Sequence, residues 1–331
     1  MAIKNLIEEI ESDVKDVLET KFAHYIADTV PSVEDSSLTF ERGVEKKGKV
    51  LESCVLYVDI RDSVSLTEKH HNQTMGRIYT ALTKAVLKIA RHHDGYVRNI
   101  IGDRVMVVFP KKDCFTNAVD CAISINHATQ YVIKKQFKGV DFKCGIGIDY
   151  GKLRVIKVGL PRQGSERSEN MGLVWVGYPA NIASRLTDVA NKTIEQEYYE
   201  VTRNPINPMA IFSRFRSGLF PYVGNQQNLP KEPLHLSKIE TVRQSPEEFA
   251  SSLRQYDSGE LFTVNGKLIS FEKKVSIYDY PSILMTKNVY NGYKKANPTS
   301  SDIKDNLWKK KNHTIKNVNG EIYGGDISWA L

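Results

Sequence analysis

Between Val50 and about Ala190 the chain alternates β-branched runs with amphipathic segments of helical length, and this alternation narrows the possible folds more than any other feature. The pattern predicts a strand at 53–60, a helix at about 72–93, two strands at 95–109 broken by Gly102, a helix at about 114–135, a strand at 141–149 and a strand–helix pair around 172–190. Strands interleaved with helices of this length predict an α+β chain in which helices pack on a sheet. The strands flanking Gly102-Asp103 read as an antiparallel hairpin, so the sheet is expected to be mixed. Two strand ends carry carboxylates: Asp59 closes an apolar strand ahead of a small polar turn, and Asp103 stands in the hairpin. A pair of this kind suits hard divalent cations held against a triphosphate, because magnesium and manganese prefer oxygen ligands. Nucleotide chemistry is therefore the leading expectation.

Outside that block the chain is less regular. Ile3, Ile7, Ile10, Val14 and Val17 recur at steps of four and three, which predicts an amphipathic helix that either pairs with a second copy or packs on its own domain. A polar stretch from Pro31 to Gly48 follows, so residues 1–48 read as a helix and linker ahead of a main domain over 49–331. Six of the twelve prolines fall between Pro205 and Pro246, near the cluster Asn225-Gln226-Gln227-Asn228, which predicts an irregular insertion at about 191–275. Regular structure resumes at Ser282–Met285 and in a helix from Lys287 to Lys295. The chain ends with a basic run, Lys309–Lys311, and a hairpin expected to turn at Asn319-Gly320.

With 331 residues, 41% of them hydrophobic, the chain can bury a sizeable core. Forty-six basic against 39 acidic residues give +7, a weak pointer to a polyanionic partner. Cys54, Cys114, Cys121 and Cys144 form no Cys-x-x-Cys pair and read as reduced thiols. No apolar run approaches the roughly 20 residues of a membrane span. Glu8, Glu9, Glu11 and Asp13 interrupt any signal-peptide block, so a soluble, cytoplasmic protein is expected, with no direct membrane or nucleic-acid binding.

Three segments carry a resemblance to the class III nucleotidyl cyclases. They are Tyr57-Val58-Asp59-Ile60-Arg61-Asp62, Gly95 to Gly102-Asp103 continuing to Phe109, and Gly177-Tyr178-Pro179-Ala180-Asn181-Ile182-Ala183-Ser184-Arg185-Leu186. Gly145-Ile146-Gly147-Ile148-Asp149-Tyr150-Gly151 resembles the family's glycine-rich strand and turn. The resemblance implies a ferredoxin-like α/β sandwich acting as a homodimer with shared active sites. By this resemblance Asp59 and Asp103 are metal carboxylates, with the Ile60 carbonyl as a backbone ligand for two Mn2+ or Mg2+ ions per site. Asn181 and Arg185, four apart on a helix, resemble the pair that orients the ribose and stabilises charge on the α-phosphate. The turn at Asp62 and Ser63 would meet the outer phosphates through backbone N–H groups. The family usually has Gly at position 62, and this Asp either points away or assists a metal. Lys152 is a phosphate ligand or an ordinary surface lysine.

The chain departs from the family where the base is read. Purine cyclases usually carry Lys or Glu at position 99 and Asp, Thr or Cys at position 174, whereas this chain has Asn99 and Val174. Val174 offers neither donor nor acceptor, and Asn99 suits O4 of uracil or N4 of cytosine equally. Arg98, Trp175 and Tyr57 either narrow the pocket or belong to strand and core. The combination resembles the bacterial pyrimidine cyclases of the Pycsar antiphage defence system, whose cyclic UMP or cyclic CMP acts on a separate effector. It implies UTP as substrate ahead of CTP, since an Arg donor favours two carbonyls. The rival expectations are an adenylate or guanylate cyclase with an atypical pocket, a non-catalytic nucleotide-binding regulator, and a nucleic-acid module resting on the net charge and Lys309–Lys311.

Overall fold

Strand β2 (Lys46–Ile60) orders the larger of two units in a computed structural model that describes residues 3–160, 171–212, 233–257, 259, 261–311 and 315–331. One unit takes Met1–Lys192 with Asp279–Leu331, the other Thr193–Tyr278. The alternation of β2 sends Cys54, Leu56, Val58 and Ile60 into one core, while Val55 enters a second core that Tyr57 packs against. Asp59, next on that second side, is half-buried at the strand's end.

Around β2 the sheet runs β13 (Lys309–Lys311), β14 (Ile322–Gly325), β12 (Ile283–Thr286), β5 (Cys144–Gly159), β2, β4 (Arg104–Val108), β3 (Tyr96–Ile101). Strand β1 (Phe22–Ile26) joins β2 and β6 (Met171–Val176) joins β5, giving nine strands among the described residues. The sheet is mixed: β1 lies parallel to β2 and β12 parallel to β5, and the other pairings are antiparallel. Ile101 pairs with Arg104, so Gly102-Asp103 is a two-residue turn, and Gly102 takes the left-handed φ of 60° that a Cβ would disfavour.

Helix α2 (Ser63–Lys69) and helix α3 (Asn72–His92) follow β2, and α4 (Cys114–His127) leads through a π-turn into α5 (Lys134–Gln136). Met75, Ile78, Leu82, Val86 and Ala90 recur at three- and four-residue steps, which puts the apolar face of α3 into the first core. That core also takes Ala118, Cys121 and Ala122 of α4 and Val289 and Tyr293 of α8 (Lys287–Ala296). Truncating a fully buried member such as Leu56 to Ala should destabilise by about 2–5 kcal/mol. All four cysteines are free and buried.

The opposite face is covered by α6 (Tyr178–Val189), through Ala180 and Ala183 packed with Leu51, Val55, Met106 and Leu153. Two glycines permit this contact. A Cβ on Gly147 would lie 2.2 Å from the Ala183 carbonyl oxygen and 2.5 Å from the Thr187 amide, and one on Gly145 would lie 2.6 Å from the Ala190 carbonyl oxygen. The glycine-rich strand is thus the seat of α6.

Several elements differ from the sequence expectations. The strand expected at 53–60 begins at Lys46, and the one expected at 141–149 runs from Cys144 to Gly159. Their extra residues form half-exposed ladders with β1 and β6, where no apolar run marks them. Within residues 1–48, Phe22–Ile26 forms strand β1, which pairs with β2 inside the larger unit. Helix α2 falls in the expected polar turn and buries only Leu66, too little to leave a period. The basic run Lys309–Lys311 is strand β13, and residues 312–321 separate it from β14, so Asn319-Gly320 is not a tight hairpin turn.

Where an irregular insertion is expected, the described residues of the second unit form strands and a helix. Its described strands follow the order β8 (Glu240–Gln244), β7 (Thr193–Pro205), β11 (Gly266–Asp279), β10 (Leu261–Thr263), β9 (Leu253–Gln255). Helix α7 (Pro246–Ser252) starts in a capping box, the Ser245 hydroxyl accepting from the Glu248 amide at 3.1 Å and the Glu248 carboxylate from the Ser245 amide at 2.8 Å. It sets Phe249 at 4.6 Å from the Tyr199 ring and 5.0 Å from Phe271. The Asn225–Asn228 cluster lies outside the described residues.

Candidate active site

The end of β2 and the β3–β4 turn bring Asp59 and Asp103 together, and the two carboxylates interact directly. Burial, and then the negative charge of Asp59, push the Asp103 carboxyl above its ordinary range, while a hydrogen bond with Ser63 opposes the shift. Such a pair needs a cation. Two arginines supply part of the compensation: Arg104 donates to Asp59 Oδ2 at 2.7 Å, and Arg61 stands 3.2 Å from the same oxygen. Arg104 also reaches Ser184 Oγ at 2.8 Å and the Asp188 carboxylate, tying the corner to α6. Arg61 is buried and donates to the Asp188 carbonyl at 3.2 Å, and it packs against Gly145, where a Cβ would come within 3.0 Å of its guanidinium carbon.

The turn after β2 has a local cause. Asp62 sits at φ 55°, ψ 34°, a left-handed conformation that Gly adopts freely and Asp tolerates, and it caps α2 without a side-chain bond. Its side chain is exposed. Ile60 is buried by its side chain and can offer only its backbone.

Other expected residues lie elsewhere on the same protomer. Asn99 pairs with Met106, which pairs with Tyr57, so Asn99 stands two strands across from Tyr57 on the α6 side of the sheet. A bulge between Val97 and Asn99 releases Arg98 from the ladder, and its guanidinium turns to the Val30 carbonyl at 3.3 Å and over the Tyr96 ring at 4.9 Å. Tyr57 and Trp175 pack half-buried on the second core. Lys152 pairs with Glu52 while Asp59 pairs with Gly145, which separates Lys152 from Asp59 by seven strand positions, about 24 Å. Val174 pairs with Ile156, further still along β5, and is 42% exposed. Asn181 is exposed, and Arg185 donates to the Asn317 carbonyl at 2.7 Å rather than to the Asp59 corner. One chain therefore brings together Asp59, Ile60, Asp62, Ser63 and Asp103, and presents Asn181, Lys152 and Val174 to solvent.

Sequence reasoning missed Arg61, Arg104, Ser184 and Asp188. The first two flank the carboxylates in the chain, and Ser184 and Asp188 share one helix row four residues apart, so proximity to recognised residues was their signal.

A divalent cation fits this corner by donor chemistry: two adjacent carboxylates, one of them disfavoured as an anion by burial and then by the other's charge. No group of three or more His, Cys, Asp or Glu side chains placed to hold a metal ion exists among the described residues. No described helix is long and apolar enough to cross a membrane.

The family model for the adenylate and guanylate cyclase catalytic domain matches residues 45–194. A uridylate cyclase of Burkholderia cepacia is 30% identical over 58% of this chain and 79% of its own length. A cytidylate cyclase of Staphylococcus aureus is 30% identical over 33% of this chain and 28% of its own. Among solved structures, the adenylyl cyclase CyaB from P. aeruginosa superimposes with a TM-score of 0.46 at 16% identity, covering 83% of this chain and 94% of that one.

Proposed function

We propose that this chain, which belongs to the class III nucleotidyl cyclase family, converts UTP, and secondarily CTP, to the 3′,5′-cyclic monophosphate and pyrophosphate. The observation that carries the reading is the adjacency of Asp59 and Asp103 at one corner of the sheet, in a chain whose relatives include a uridylate cyclase. Asp59, Asp103 and the Ile60 carbonyl would hold two magnesium or manganese ions. These would lower the pKa of the ribose 3′-hydroxyl and screen the triphosphate.

The chain's own groups do the rest. The backbone of the Asp62-Ser63 turn binds the outer phosphates, and the exposed Asp62 carboxylate stays clear of them. Asn181 and Arg185 come from the partner protomer of a homodimer, Asn181 orienting the ribose and Arg185 meeting charge on the α-phosphate. Lys152 would reach phosphate only in that shared arrangement. Asn99 reads the pyrimidine edge, and Val174 leaves a purine's polar groups without partners, a mismatch worth several kcal/mol against purines. Arg98, Trp175 and Tyr57 wall the base site. The product serves as a second messenger for a separate effector in antiphage defence.

Incubating the purified chain with each of the four triphosphates and manganese, followed by mass spectrometry, tests the reading. Cyclic UMP should dominate, with cyclic CMP second; cyclic AMP or cyclic GMP as the main product, or no cyclic product, overturns it.

A further inference from the structure

Helix α1 (Ile3–Glu19) meets its own unit with its polar side. Asp16 accepts from the Gly43 amide at 2.8 Å and pairs with Lys46 Nζ at 2.9 Å, their side chains only 14% and 5% exposed. Arg42 bonds the Ser12 hydroxyl and lies 3.7 Å from Asp13. Ser12, Asp13 and Asp16 are the residues of α1 that lose exposure, whereas Ile3, Ile7, Ile10, Val14 and Val17 remain 48–72% exposed. A helix docked by its charges, with its apolar row outward, is the reverse of an ordinary surface helix.

The outward row repeats at four and three residues, the a/d spacing of a coiled coil, with Ile7 and Val14 at a and Ile3, Ile10 and Val17 at d. Ser12 and Asp16 fall at f and c, on the far side from that seam. Two alternatives for the cover fail on charge and geometry. The helix carries six acidic and two basic residues, which repels the anionic bilayers that basic interfacial helices seek. Its own larger unit already holds the opposite face. A second α1 fits: in a parallel, in-register pair Leu6 faces Glu11 and Asp13 faces Leu18, so no like charges meet across the seam.

We propose that α1 is a self-association seam that pairs in parallel with α1 of a second copy of this chain. The inference rests on the homodimer of the proposed function and adds the contact that positions it. Lys46, which pins α1, opens the same strand that ends in Asp59-Ile60, so the seam is fixed to the metal corner through one rigid element. Little more than two heptads cannot hold a dimer alone, and the seam works together with the catalytic pairing.

Because the native cysteines are buried, single Ile10→Cys and Val14→Cys variants report the seam directly under mild oxidation, with Glu9→Cys as the control on the other side of the helix. The first two should cross-link at least about tenfold faster than the third. Ile10→Glu combined with Val14→Glu should raise the dimer dissociation constant by about 100-fold or more in sedimentation. Equal cross-linking at all three positions, or Ile10/Val14-dependent flotation with anionic vesicles, overturns the seam. Nucleotide turnover by chains whose helices do not cross-link would refute the seam and spare the cyclase; cross-linked chains that cyclise no triphosphate would do the reverse.

Discussion

Asp59 and Asp103 stand in a half-buried corner braced by Arg61, Arg104 and Ser63, whereas Asn181, Asn99 and Val174 of the same protomer face solvent on other rows of the sheet and helix. The first region is finished by one chain. The second presents exposed side chains on one chain, as the proposed shared site requires of groups that would act on a partner's corner. The contrast separates residues whose removal should abolish chemistry outright from residues whose effect depends on the partner.

The largest effect is expected at the corner itself. Asp59→Ala or Asp103→Ala should lower kcat by at least about 1,000-fold with the fold intact by circular dichroism, because on the proposed function the cation would lose its charged ligands. Arg185→Ala should cost about 100- to 1,000-fold in kcat with KM little changed, the mark of a group that acts in the transition state. If KM rises instead, Arg185 binds ground-state substrate and the contrast blurs. Replacing Asn99 by Lys and Val174 by Asp together should shift the ATP-to-UTP preference by roughly 10- to 100-fold toward ATP, read as product ratios.

Smaller effects probe the scaffold. Gly147→Ala forces a Cβ against the Ala183 carbonyl and Thr187 amide and should destabilise by about 2 kcal/mol or more, seen in denaturant melts. Asp149 is buried, accepts from the Thr286 hydroxyl at 2.6 Å, and has its carboxyl pushed up by burial to about 6 from an ordinary 3.8. Folding therefore favours its protonated form, a benefit complete below pH 3.8 and lost as pH rises through 6. Asp149→Asn should stabilise by up to about 2 kcal/mol at pH 7.5 and by nothing measurable below pH 4.

Much of the corner was legible because its parts are local. Apolar alternation ending in Asp59, and Gly102-Asp103 between two strands, announce themselves within a few residues. The Arg104–Asp59–Asp188 network was not legible, since it joins a hairpin, a strand end and a helix that only tertiary packing brings together. The second unit escaped for a different reason: the half-exposed strands β7 and β11 carry mixed charged and aromatic residues without a clean period, and the prolines between them pointed to disorder of pattern. Helix α1 shows a third case. Its period was plain, yet which side docks depended on Asp16 finding Lys46, thirty residues away.

The shared site is tested most directly by mixing inactive Asp59→Ala with inactive Arg185→Ala under conditions where protomers exchange. On the proposed shared site, heterodimers would place both lesions in one site and leave the other whole, so activity should return to about one quarter of the wild-type value in an equal mixture. Heterodimers that form, as judged by differential tags, and still make no cyclic nucleotide would contradict the account.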